Sequence, residues 1–238
     1  MRSLLATLTA LVVAAPLPAR ADQRFQVDPT RVDLATAAPS GAITITNHST
    51  SALRLQATAY RWAESPEGAM QLTAAPELVV RPALFEVQPG KARTVRVGTA
   101  ASATATEQSY RVFIEELPDR SVTQRAGIHV LTRIGVPVFL APREPRVALE
   151  IRPATDAGKP VVRVRNPGTV HVKLASVKLR AVGAAWERSA AGWYVLPGDT
   201  RQFAVEAGPP CAAGERWIAE ATSEDGAHWT SPASPCEP

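Results

Sequence analysis

Apolar and polar residues alternate with a period of two along most of this chain, and no apolar run at helical spacing is bracketed by caps. The most developed pattern occupies 109–142, SYRVFIEELPDRSVTQRAGIHVLTRIGVPVFLAP. Two apolar strand patterns flank a polar, unpatterned connection, and the stretch ends at a proline-rich joint, Ala141-Pro142-Arg143-Glu144-Pro145. In the second pattern Ile128, Val130, Thr132, Ile134, Val136 and Val138 share one face, and Gly127, His129, Leu131, Arg133 and Gly135 the other. Such a strand would be about twice the usual five or six residues. It is expected to do something besides close a sheet. Pro137 lacks a backbone donor, which an edge tolerates and a central ladder does not, so an edge open to a partner is expected here.

The pattern occurs twice. Ala42–Ser49 leads into Leu53–Ala57, and Val161–Gly168 leads into Val170–Leu174, each through an Asn-led turn at Asn47 or Asn166. Both read as hairpins. Further on, Phe85-Glu86-Val87-Gln88-Pro89-Gly90 before Thr94–Val97 is echoed by Trp193-Tyr194-Val195-Leu196-Pro197-Gly198 before Thr200–Val205. Proline presets the first turn angle and glycine takes the positive φ that follows, as a type II turn requires. The expected fold is all-β: two tandem immunoglobulin-like sandwiches, at 22–141 and 146–238, joined by a hinge at 142–145.

Residues 1–21 read as an export signal: Arg2, the apolar run Leu4 to Leu17, and the small-residue site Ala19-Arg20-Ala21. The run is too short to span a bilayer, and no later one reaches the roughly 18 apolar residues a spanning helix needs. Cleavage removes Arg2 and Arg20 and lowers the formal charge from +4 to +2, too little and too dispersed for a nucleic-acid protein. In an exported protein the two cysteines, Cys211 and Cys236, are expected to form a disulfide. It would close a loop of about 25 residues, worth about 3 kcal/mol. His48, His129, His171 and His228 have no ligand spacing, so neither a metal nor another cofactor is expected. Ser and His are scattered and no Gly-x-Ser-x-Gly occurs, so no enzyme is expected.

Taken in order, Phe85-Glu86-Val87-Gln88-Pro89-Gly90, Thr94–Val97, Tyr110–Pro118 and Arg133–Phe139, with Asn166-Pro167 and Leu196-Pro197-Gly198 beyond, resemble the periplasmic chaperones of the chaperone–usher pilus pathway. The resemblance spans nearly the whole chain after the signal. It implies two angled sandwiches (a boomerang) and a location in the periplasm of a Gram-negative bacterium. It also implies a long strand lent to a pilus subunit whose own sandwich lacks one, with delivery to an outer-membrane usher. The physical problem is an open apolar groove with unpaired backbone groups, which aggregates unless a strand fills it.

On this resemblance Ile128, Val130 and Thr132 fill the subunit's groove, with Ile134 extending the row, each fully buried aliphatic contributing about 1.5–3 kcal/mol. The family holds the subunit's C-terminal carboxylate with an arginine on the first strand and a lysine late in the long one. Arg31 matches the first. Where the lysine belongs this chain has Ile134-Gly135, leaving Arg111 or Arg133 as the second anchor. The missing lysine, with Tyr110-Arg111 and Val136-Pro137-Val138, looks more like the archaic branch of the family. Asp225 is expected in a domain-interface salt bridge, with Arg143 as substitute partner. Self-association through the exposed strand is open, and the competing reading is a secreted structural or adhesive surface protein, or a pilus subunit itself.

Overall fold

The computed structural model describes residues 24–65, 67–118, 130–183, 186–205 and 214–235. The expected signal segment, Ile128 and both cysteines lie outside the described residues. Among those described, every regular element is a strand. The first ten are β1 (Phe25–Asp28), β2 (Val32–Leu34), β3 (Ser40–Asn47), β4 (Leu53–Glu64), β5 (Met70–Ala74), β6 (Leu78–Arg81), β7 (Leu84–Val87), β8 (Ala92–Thr99), β9 (Gln108–Glu116) and β10 (Arg133–Leu140). One sheet has the order β1-β3-β8-β6; the facing one runs β2-β10-β9-β4-β5, with β7 also paired to β4. Alternating residues of both meet in one core, including Phe25, Ile43, Leu55, Val95, Ile114 and Val138.

Nine strands follow: β11 (Glu150–Asp156), β12 (Lys159–Arg165), β13 (Val172–Ala181), β14 (Glu187–Ala191), β15 (Tyr194–Val195), β16 (Thr200–Ala204), β17 (Arg216–Ser223), β18 (His228–Thr230) and β19 (Ser234–Pro235). They form the sheets β11-β12-β16 and β14-β13-β17-β18, the latter joined by β15 and β19, around Val162, Val164, Leu179, Phe203 and Trp217. No ladder joins the two sets among the described residues. The molecule is two sandwiches in series.

The Asn turns are not hairpins. β3 and β4 belong to opposite sheets, as do β12 and β13, so each Asn sits where the chain crosses the sandwich. The reason is in its side chain. Buried Asn47 donates from Nδ2 to Ser51 O (2.8 Å) and Val87 O (2.9 Å), and its Oδ1 accepts from Ser49 N (2.8 Å). Asn166 repeats this with Val170 O (2.8 Å), Val195 O (2.9 Å) and Gly168 N (2.8 Å). The backbone of each also bonds its Pro-Gly turn: Gly90 N donates to Asn47 O (3.0 Å) and Gly198 N to Asn166 O (2.8 Å). Both turn glycines have positive φ, 66° and 82°, as the turn type demands. The repeated motif is thus one corner built twice.

The long strand is also corrected. β10 begins at Arg133, and Val130, Leu131 and Thr132 precede it outside any assigned strand. Its partner β9 ends at Glu116, whose N–H makes a last bond to Thr132 O (2.9 Å); Leu117 N turns instead to Arg54 O (2.8 Å). Before Thr132 the chain has no ladder partner among the described residues.

Candidate functional site

Register divides β10 into two parts. Glu116 pairs with Thr132, so Thr132, Ile134, Val136 and Val138 direct their backbone groups to β9. Arg133, Gly135, Pro137 and Phe139 direct theirs to the other side. There β2 pairs only with Val138, Phe139 and Leu140. Among the described residues β10 is therefore a sheet edge from Arg133 to Pro137, and Pro137 sits where its missing donor interrupts no ladder.

The side chains follow the same division. Val136, Val138 and Leu140 are fully in the first core and Ile134 packs against it. Val130, on the same alternation, is 78% exposed, and Thr132 is half-buried. The core row thus continues past the end of its own core. Of the expected donor row, Val130 and Thr132 overhang and Ile134 packs on the first core.

On the opposite face of this sheet Arg31 and Arg111 come level. Arg31 immediately precedes Val32, which aligns with Val138; Pro137 is opposite Arg111. The two arginines therefore flank Pro137 on neighbouring strands, with backbones about 10 Å apart at the usual strand spacing. Arg133 lies about 13 Å further along β10. It pairs with Glu115 at 2.6 Å and covers the Phe113 ring at 3.8 Å.

Arg31 is exposed, held by Asp33 at 2.9 Å, and lines a groove of about 350 Å³ with His171, Lys173, Asp225 and Trp229 of the second sandwich. Arg111 is only 6% exposed. Its Nε and Nη2 are buried and bond to no described residue. Burial holds this guanidinium below its ordinary range, an effect that Tyr194 and Glu64 oppose. A buried cation with free donors is costly alone and suited to receive an anion.

Position 135 has little room for a side chain. A Cβ there would meet Phe113 Cε1 at 2.9 Å and Arg111 Nη1 at 3.4 Å. The Phe113 ring fills the space a side chain at 135 would enter, and the Arg111 guanidinium of β9 lies in contact with that position.

The sandwiches meet beside this site. Trp62 and Phe139 of the first pack with Tyr194 and Leu196 of the second. His171 stacks on Phe139 with ring centroids 3.6 Å apart, and its Nδ1 lies 2.9 Å from Glu107 Oε1. Glu64 accepts from Trp193 Nε1 (3.0 Å) and Arg201 Nη1 (2.7 Å). The expected Asp225–Arg143 bridge does not form. Asp225 is hydrogen-bonded by the Ser223 hydroxyl in its own turn, and Arg143 donates to Ala103 O at 3.1 Å.

The sequence assigns no interface role to Trp62, Glu64, Glu107, Trp193 or Arg201, although Trp193 and Arg201 fall within the second Pro-Gly motif. One signal existed: in β4 burial moves from Leu53, Leu55 and Ala57 to Trp62, which has the opposite parity, marking a second covered face.

The family model "Pili and flagellar-assembly chaperone, PapD N-terminal domain" matches residues 24–146. No curated protein matches the sequence. Among solved structures, the chain resembles one in the CsuC–CsuE chaperone–tip adhesion subunit pre-assembly complex from archaic chaperone-usher Csu pili of Acinetobacter baumannii. The TM-score is 0.65 at 16% identity, over 90% of this chain and 99% of that one. The YadV chaperone gives 0.63 at 15% identity over 89% and 100%. The Pseudomonas aeruginosa CupB2 chaperone gives 0.56 at 19% identity over 88% and 100%.

Proposed function

This chain belongs to the PapD-type family of pilus- and flagellar-assembly chaperones, and from that premise we propose that it works in the periplasm by lending a strand edge to a pilus subunit and passing the subunit to an outer-membrane usher. The observation that carries the reading is the unpaired edge of β10 from Arg133 to Pro137, running on into the exposed Val130. A subunit strand added along this edge gains backbone bonds, while Val130 and Thr132, with Ile128 before them, enter its open groove. Ile134 packs against the chaperone's own core and marks where the lent row begins.

Arg31 and Arg111 hold the subunit's C-terminal carboxylate between them. Arg111 supplies unpaired donors and Arg31 an exposed charge that can exchange Asp33 for the ligand. The carboxylate fixes the register of the added strand, because it stops the chain at the level of Pro137. Arg133, committed to Glu115, lies at the far end of the edge and is available to bond along the added strand rather than at its terminus. The arginine from β9 in place of a β10 lysine fits the archaic branch.

The test is co-expression in a bacterial periplasm with candidate pilus subunits. Subunit should co-purify with the native chain. The Val130→Asp substitution should lower the yield more than tenfold, since a carboxylate would enter an apolar groove. The free variant should melt as the native chain does, because Val130 is exposed. Undiminished co-purification of Val130→Asp would refute the lent strand.

A further inference from the structure

We propose that the second sandwich positions the carboxylate anchor: Trp193 holds the Arg111 guanidinium against Trp62, so capture depends on the docking of the two sandwiches. The inference rests on the reading of Arg111 as an anchor. Arg111 Cζ lies 4.1 Å from the Trp62 ring centroid and 5.6 Å from that of Trp193. The first indole belongs to β4 and the second follows β14, so the cation is shared between the sandwiches. Cation–π contact favours the charged guanidinium without using its N–H groups. The side chain is thereby fixed while Nε and Nη2 stay unpaired.

Glu64 is the acid that could quench this charge, and it is engaged elsewhere. One carboxylate oxygen accepts from the Trp193 indole and the other from Arg201. Arg201 also lies 5.9 Å from the Trp193 ring, so the indole stands beside two guanidiniums, one neutralised by Glu64 and one available. The backbone fixes Trp193 in turn. Leu174 N donates to Trp193 O and Gly192 N to Ala175 O, each at 3.0 Å. A Cβ at Gly192 would come within 2.0 Å of Leu174 O, so only glycine lets the segment press this closely on β13. Trp193 is a positioning residue. It acts through Arg111 and does not itself bind the ligand.

The experiment uses the purified full chain and two synthetic ten-residue peptides of alternating Val and Thr with N-terminal lysines for solubility. One ends in a free carboxylate and the other in an amide, and the readout is the ratio of their affinities. The native chain should favour the carboxylate roughly tenfold or more, the scale of a charge-assisted hydrogen bond. Trp193→Leu should bring the ratio close to one without changing affinity for the amide peptide. Trp193→Phe, which keeps an aromatic face, should retain most of it. A full ratio in Trp193→Leu together with its loss in Arg111→Gln would overturn the positioning role and leave Arg111 as the anchor. A full ratio in Arg111→Gln would overturn the anchor assignment itself, and the positioning role with it.

Discussion

Both oxygens of the Glu64 carboxylate have partners, Trp193 and Arg201, yet burial still pushes its pKa up, with Asp199 adding to the rise. The folded protein thus holds a proton here more tightly than the unfolded chain does. This contribution to stability is complete below the ordinary pKa of 4.5 and is lost as pH rises through the higher folded value. Asp199, also raised by burial, acts in the same direction. Glu64→Gln keeps an acceptor for the Trp193 indole and removes the titration. Thermal midpoints measured at a series of pH values should fall less steeply above pH 4.5 in Glu64→Gln than in the native chain, and parallel profiles would show that Glu64 does not titrate as described. Residue types announced some of the site and concealed the rest. The absence of a lysine at Gly135 is visible in the sequence, which leaves Arg111 and Arg133 as replacements. That the Arg111 guanidinium is buried with unpaired donors beside Gly135 is a matter of contacts across strands, which no local pattern encodes.

The element that repeats most faithfully is the Asn corner. Asn47 and Asn166 each bond a carbonyl four residues on and a second carbonyl across the sandwich, with matching distances. Removing either side chain strands two carbonyls near the core. Asn47→Ala and Asn166→Ala should each destabilise their own sandwich by about 2–5 kcal/mol, read from denaturant titration with probes in each domain. A loss under about 0.5 kcal/mol at either site would mean that water replaces the amide and that the corner is not what holds the crossing. Alternation disclosed these strands and the recurrence of the Asn and Pro-Gly turns. It did not disclose that the turns join opposite sheets, because a strand reads alike whether its successor pairs beside it or crosses the core. Strand length is hidden for a related reason: among the described residues a single row from Val130 to Val138 passes from overhang to edge to core, and the end of β9 at Glu116 divides it.

In the whole molecule the two sandwiches meet through Trp62, Phe139, Tyr194 and Leu196, flanked by the Glu64–Arg201 and Glu107–His171 pairs. The runs Tyr110–Ile114 and Val136–Leu140 are buried on both faces: one face fills the first core, while on the other Arg111 and Phe139 meet the second sandwich and Phe113 is covered by Tyr60 and Arg133. That arrangement leaves β10 between Arg133 and Pro137 as an edge, among the described residues, with Arg31 and Arg111 flanking Pro137. The direct measurement is residue-resolved hydrogen exchange of the free chain and of its complex with a pilus subunit. In the free chain the amides of Ile134 and Val136, bonded to β9, should be protected, and those of Arg133 and Gly135, facing the open edge, should exchange fast. In the complex Arg133 and Gly135 should become protected alongside them. Fast exchange of both in a stable complex would contradict the lent strand, because the subunit would then be held somewhere other than this edge.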